Sequence, residues 1–270
     1  MSSKASVDRL DVNGLSIAYR AAGDGPRTVL VHGLAQDHTI WSEVQGLWPD
    51  ARTYAYDLRG HGATPLGHPQ GTLAQLGQDL IGLLERLGPA MCVGFSLGGS
   101  VALWVAAERP DLVTAVVAVA TSSVVGRAAA GSMRERIAEV EAGGVLRLHE
   151  VLADDTRSQL AGDEARLDKI LAARWAATTE TGGYLNGARA VCDMHDHPLQ
   201  ERLDAVTQPV LVVSGSLDPW CPPRAAQIML ERLAHAQFVE LAGVGHLVTD
   251  VAAGELVAIV RDWNREREQA

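Results

Sequence analysis

The sequence predicts an α/β fold: a mostly parallel, eight-stranded sheet flanked by helices, with a helical cap inserted after the sixth strand. Three observations lead there. Short continuous apolar runs such as Thr28–Val31 and Pro209–Val213 suit strands covered on both faces, as parallel strands are. These runs alternate with stretches of helical periodicity, the rhythm of βα units joined by right-handed crossovers. The rhythm breaks once, from about Ser122 to His197, where amphipathic helical stretches follow one another without a buried strand. Residues 1–121 and 198–270 are therefore expected to form the core, and residues 122–197 the cap.

A chain of 270 residues, 47% of them apolar, is long enough for one large core with an insertion. Its net charge of −10 argues against a nucleic-acid or anionic-membrane partner, because binding phosphate needs a basic surface. The cysteines Cys92, Cys192 and Cys221 are odd in number, widely spaced and lack a C-x-x-C pair. Neither a disulfide framework nor a zinc site is implied, and a reduced, cytoplasmic setting fits. The opening ten residues lack the apolar region of a signal peptide, and no stretch reaches the length needed to span a bilayer.

In chain order, residues 6 to 20 form two alternating segments around Val12-Asn13-Gly14, a hairpin signal. Thr28–Val31 and Thr53–Tyr56 read as the next two strands. Asp57 and Arg59 read as a charged pair that brackets a tight, Gly-rich loop, a structural role. A helix from about Gly71 to Leu87 carries the stripe Leu73, Leu76, Leu80, Leu83 and Leu84. Leu112–Val119 is another buried strand. In the cap, Met133, Ile137 and Val140, and then Leu167, Ile170, Leu171 and Trp175, recur at helical spacing, and Gly143-Gly144 and Asp154-Asp155 punctuate them. Such an insertion suits a lid that supplies an apolar wall and excludes water. The segment Asp193–His197 reads as a solvated connector rather than a metal site. The sheet resumes at Pro209–Val213, a helix starts near Arg224, Gln237–Leu241 is the last strand, and a closing helix runs from about Val251 to Asn264.

The stretch that carries chemistry is Gly94-Phe95-Ser96-Leu97-Gly98, between an apolar run and the helical Val101–Glu108. In this G-x-S-x-G pattern the serine sits at the apex of a strained strand-to-helix turn, and the flanking glycines let backbones pass closely. The N-terminus of the following helix presents N–H groups where an oxyanion forms. His32-Gly33-Leu34 ends an earlier strand, so its loop can aim the Leu34 N–H at the same point, completing an oxyanion hole with the N–H of Leu97.

Serine alone is a poor nucleophile and needs a base within hydrogen-bond reach and a third group to orient that base. Asp218 and His246 each follow a predicted strand, as Ser96 does, so all three fall at one sheet edge, where ligands bind in doubly wound folds. Histidine suits the base because it titrates near physiological pH. Trp41, Trp175, Tyr184 and Trp220 are the expected pocket-lining residues. Arg134, Arg136 and Arg189 of the cap read as surface residues, solvated or paired.

Taken together, His32-Gly33, Asp57-Leu-Arg-Gly-His-Gly62, Gly94–Gly98, Asp218 before Pro-Trp-Cys-Pro-Pro, and Gly245-His246 resemble the α/β-hydrolase superfamily over essentially the whole chain. The phrases His32–His38 and Tyr184–Asp193 are similar to those of 3-oxoadipate enol-lactonases, in the esterase and lactonase branch. That resemblance implies a serine hydrolase acting on a small-molecule ester or lactone. Ser96 is the implied nucleophile, His246 the base, Asp218 its orienter, and Leu34 and Leu97 the oxyanion donors, with no metal or organic cofactor. The same triad also serves carbon–carbon bond hydrolases, thioesterases and perhydrolases, and the fold also occurs as a receptor-like binding module.

Overall fold

The computed structural model describes residues 7–162 and 164–269. The stretch 1–6, which carries the start of the predicted hairpin region and most of the segment read for a targeting signal, lies outside the described residues.

The chain opens with β1 (Asp8–Val12) and β2 (Leu15–Ala22), antiparallel and in register from Asp8 opposite Tyr19 to Val12 opposite Leu15. Asn13 and Gly14 join them with φ of 52° and 76°. Positive φ at both turn residues matches the right-handed twist of a two-residue hairpin. Then follow β3 (Arg27–Val31), β4 (Arg52–Tyr56), β5 (Ala90–Phe95), β6 (Val113–Val119), β7 (Val210–Gly215) and β8 (Ala236–Leu241). The eight strands lie in the order β1-β2-β4-β3-β5-β6-β7-β8, and every pairing after β2–β4 is parallel.

Helices cover both faces, which is why the central strands are apolar on both sides. One face packs on α2 (Leu73–Leu87), α3 (Leu97–Glu108) and α7 (Pro223–Leu230); the leucine stripe of α2 is wholly buried there. The other face packs on α1 (Ser42–Leu47), the short α8 (Val248–Val251) and α9 (Ala253–Gln269), through Trp41, Val44, Val248, Leu256, Val257 and Trp263. Helix α2 starts where the Thr72 hydroxyl accepts from the Gln75 N–H, and it stops at Gly88, whose φ is 89°.

Between β6 and β7 the chain is helical: α4 (Arg127–Gln159), α5 (Leu167–Ala177) and α6 (Thr181–Asp196). Helix α4 breaks at Gly144, where φ is 66° and ψ −154°, the punctuation expected of the glycine pair. Met133, Leu148 and Leu152 of α4 pack with Tyr184 and Ala188 of α6 and with Ala35 of the loop after β3. Helix α6 meets the core with no space to spare. A Cβ added at Gly183 would stand 1.9 Å from the Gly60 carbonyl oxygen. No helix among the described residues is long and apolar enough to cross a membrane.

Asp57 and Arg59 take the structural role expected of them, and do so without pairing with each other. Asp57 accepts from the His38 N–H, the His38 ring and the Ala63 N–H, whereas Arg59 forks onto Asp79 at 2.6 Å through both Nε and Nη2. Burial alone would lower His38, but the hydrogen bond and charge of Asp57 outweigh it and hold the imidazole above its ordinary range. The segment Asp193–His197 is not a free connector, since its first four residues finish α6. Asp193 accepts from the Leu73 N–H at the start of α2, and the His195 ring bonds the Val125 carbonyl.

Candidate active site

Strand β5 runs into α3 through Ser96, whose φ of 52° and ψ of −120° are unusual for a residue with a side chain. The turn is tight enough to exclude larger neighbours. A Cβ at Gly94 would lie 2.2 Å from the Gly98 carbonyl oxygen, and one at Gly98 would lie 2.2 Å from that of Val31. The Ser96 N–H bonds the Val119 carbonyl at 2.9 Å, tying the apex to β6. Its side chain is thereby thrust out of the sheet, where it lines a cavity.

His246 and Asp218 arrive from the ends of β8 and β7. The His246 N–H donates to the Gln159 carbonyl at 3.0 Å, so the last turn of α4 holds the histidine loop. His246 Nε2 stands 3.1 Å from Ser96 Oγ, and Nδ1 stands 2.8 Å from Asp218 Oδ2. The other oxygen, Oδ1, accepts from the N–H groups of Trp220 at 2.8 Å and Cys221 at 2.9 Å. A carboxylate held this way is a fixed acceptor, so the arrangement places the imidazole proton on Nδ1 and leaves Nε2 free to accept. His246 and Asp218 are both buried, and the ring of Phe95 packs 5.2 Å from the imidazole.

The loop after β3 is braced by two further histidines. His32 Nδ1 donates to the Gly33 carbonyl at 2.7 Å and its Nε2 accepts from the Leu58 N–H at 2.9 Å. His61 Nε2 accepts from the Ala35 N–H at 3.3 Å. Such bonding needs neutral rings, and burial supplies that condition: it lowers His61, and with the neighbouring His61 it pushes His32 down to about 3. Gly33 N–H is taken by the Gln36 side chain at 3.1 Å. The Leu34 amide thus lies between two anchored amides, and Leu34 and Leu97 both line the cavity.

That cavity is about 730 Å³ and lies between the sheet edge and α4–α6. Val125, Met133, Met194 and Ile228 give it apolar walls, while Arg136, Asp155, Arg174 and Tyr184 form a polar one.

Residues 28–259 match the model of the Alpha/beta hydrolase family. The chain belongs to that family. Among its relatives, a 3-oxoadipate enol-lactonase of Acinetobacter baylyi is 26% identical over 86% of this chain and 86% of its own length. A pimeloyl-[acyl-carrier protein] methyl ester esterase of Vibrio atlanticus is 27% identical over 82% of this chain and 88% of its own length. The crystal structure of an enol-lactonase from Burkholderia xenovorans superposes with a TM-score of 0.85 at 25% identity, covering 95% of this chain and 99% of that one.

In this alpha/beta hydrolase the expected pocket residues divide. Tyr184 and Trp220 line the cavity, but Trp41 and Trp175 do not. Trp41 is fully buried in the core, among Val44, Trp48 and residues of α9. Trp175 points outward on α5 and stacks on His149 at 5.1 Å, because its helix turns Ile170 and Leu171 inward instead. Of the arginines expected at the surface, Arg134 and Arg189 pair there with Asp196 and Glu141, whereas Arg136 lines the cavity. Arg174, which carried no signal of its own in the sequence, lines it too. The available cue was Asp155, a polar residue placed where the α4 periodicity calls for an inward side chain.

Proposed function

We propose that this protein is a serine hydrolase that cleaves a carboxylic ester or lactone through an acyl-enzyme, with helices α4–α6 acting as a cap over the site. The observation that carries this reading is the unbroken chain of contacts from Ser96 Oγ to His246 Nε2 at 3.1 Å and from His246 Nδ1 to Asp218 Oδ2 at 2.8 Å.

In the acylation step Ser96 Oγ attacks the carbonyl carbon and passes its proton to His246 Nε2. Asp218 orients the ring and stabilises the imidazolium so formed. The carbonyl oxygen, now negative, takes the N–H groups of Leu97 and Leu34, each worth about 3 kcal/mol of barrier in sites of this kind. Collapse of the tetrahedral intermediate expels the alkoxide, which takes the proton from His246. Water then attacks the acyl-serine, gives its proton to His246 and releases the acid, restoring Ser96. A lactone follows the same course, except that its alcohol stays attached to the acyl group throughout, so that water releases a single hydroxy acid.

The test is a panel of p-nitrophenyl esters of increasing chain length beside simple lactones, with the parent protein and Ser96→Ala. Hydrolysis of at least one member, reduced by a factor on the order of 10⁴ or more in Ser96→Ala, is expected. Equal turnover in the two proteins, or activity confined to diketones, contradicts it.

A further inference from the structure

The end of β6 holds the Ser96 turn from both sides. A residue with a side chain keeps the φ of 52° and ψ of −120° found at Ser96 only when its surroundings fix it. The Ser96 N–H donates to the Val119 carbonyl at 2.9 Å, and the Ser96 carbonyl accepts from the Thr121 hydroxyl at 2.5 Å. Between those two partners Ala120 has a φ of 46°, and its own N–H is tied to the Val213 carbonyl at 2.7 Å. Across that bend, the carbonyl of Val119 and the hydroxyl of Thr121 reach the same residue.

Counting protons fixes the direction of the Thr121 bond. A carbonyl oxygen has none to give, so Thr121 is the donor to Ser96. Ser100 Oγ stands 3.1 Å from Thr121 Oγ1 and 2.9 Å from the Ser122 carbonyl oxygen. With its proton committed to Ser96, Thr121 can only accept from Ser100, so polarisation along this chain runs toward the Ser96 carbonyl. Both hydroxyl residues are buried. A Cβ added at Gly99 would stand 2.7 Å from Thr121 Cβ, so the first turn of α3 rests directly on Thr121.

The Ser96 carbonyl does not need this bond to be satisfied. It already takes the N–H of Gly99 at 2.9 Å and that of Ser100 at 3.3 Å. What the third bond adds is a hold on the peptide plane. The Ser96 carbonyl and the Leu97 N–H belong to one planar trans unit and point in opposite directions, so orienting one orients the other. Leu97 opens α3, where an N–H has no acceptor within the helix, and the residue lines the cavity.

Building on the serine-hydrolase reading, in which the Leu97 N–H is an oxyanion donor, we propose that Thr121 is a positioning residue for the oxyanion hole. It touches neither the substrate nor the reacting atoms. It holds the Ser96–Leu97 peptide with the N–H aimed at the developing charge, and by polarising the carbonyl it strengthens that N–H as a donor. The bond is present in the resting fold, so no reorganisation is needed when the charge appears.

The test compares Thr121→Val, which keeps the shape and removes the donor, with Thr121→Ser, which keeps the donor. On the p-nitrophenyl ester that the parent turns over fastest, Thr121→Val is expected to lower kcat by roughly tenfold or more with KM within about twofold, and Thr121→Ser to retain most of the parent rate. An alkyl trifluoromethyl ketone reads the same amide. Ser96 Oγ adds to its carbonyl carbon, the serine proton passes to His246, and the carbonyl oxygen of the adduct becomes the oxyanion. Its inhibition constant should rise in Thr121→Val by about the factor lost in kcat/KM. A purely structural Thr121 would lower the urea midpoint and leave the ketone constant of the folded protein unmoved. If Thr121→Val does not fold, Thr121→Ala against Thr121→Ser makes the same comparison with the methyl group absent from both. Parent-like kinetics without the donor, a loss of kcat that Thr121→Ser shares, or an unchanged ketone constant overturns the proposal and leaves the serine hydrolase standing. A parent protein that neither hydrolyses an ester nor binds the ketone removes both.

Discussion

His246 Nε2 lies 3.1 Å from Ser96 Oγ although 150 positions separate the two residues in the chain. The parallel sheet accounts for the meeting. β5, β7 and β8 point the same way, so the loops that follow them open at one edge and bring Ser96, Asp218 and His246 together.

The turn that presents Ser96 leaves no room for a methyl group at Gly98, where a Cβ would press on the carbonyl oxygens of Val31 at 2.2 Å and His32 at 2.6 Å. Gly98→Ala is expected to lower kcat by roughly a hundredfold or more, because both oxygens belong to the segment leading to Leu34. Gly46→Ala, on α1 with nothing within 4 Å of the new methyl, should instead raise stability by about 0.5–1 kcal/mol and leave kcat alone. Kinetics and urea titration of the two variants check the pair, and equal behaviour would contradict it.

His61 accepts from the Ala35 N–H, one residue beyond Leu34, the proposed oxyanion donor. His61→Leu should reduce kcat by roughly ten- to a hundredfold with little change in KM, since the interaction lost is one made in the transition state. A variant that loses KM instead would show that His61 shapes the ground-state pocket.

The fold was legible because buried parallel strands are short apolar runs and their connections are helical. The elbow was legible because close backbone passage demands glycine at Gly94 and Gly98. The pocket was less so. Trp41 and Trp175 looked like lining residues by type alone, but direction is set by helix phase and by which face of the sheet an element covers. Arg136 looked like a surface residue because its helix is rich in charge, and only the packing of α4 against α6 turns it inward. Asp57 and Arg59 share a loop yet take different partners, His38 and Asp79, which come from distant segments that local sequence does not reveal.

Trp41 is a core residue packed with Val44, Trp48 and α9 and does not line the cavity, so its removal should be felt in stability. Trp41→Ala is expected to cost about 3–5 kcal/mol, and Trp41→Phe less, with kcat/KM of the folded Phe variant within about twofold of the parent. Denaturant midpoints and kinetics on the same preparations decide it. A selective change in substrate preference would return Trp41 to the pocket.

Asp250 is held protonated more readily than usual. Burial raises its carboxyl from 3.8 to about 6, outweighing the Thr249 hydrogen bond and the nearby Arg174, Lys169 and Arg166. The folded protein therefore binds more protons than the unfolded chain between these values, and this group's contribution to stability falls as pH rises through them. Asp250→Asn should gain stability relative to the parent between pH about 4 and 7, by at most about 3 kcal/mol, with the difference vanishing at the acid end. Unfolding curves at both pH values measure it, and a difference that does not change with pH would contradict the assignment.

Nucleophilic attack by Ser96 is the central step of the proposed reaction, and a fluorophosphonate ester, which phosphonylates an activated serine, reports on that attack directly. Peptide mapping by mass spectrometry should find one adduct, on Ser96, with labelling slowed by orders of magnitude in His246→Ala. An adduct on another residue, or labelling at an unchanged rate without His246, would contradict a serine activated by that imidazole.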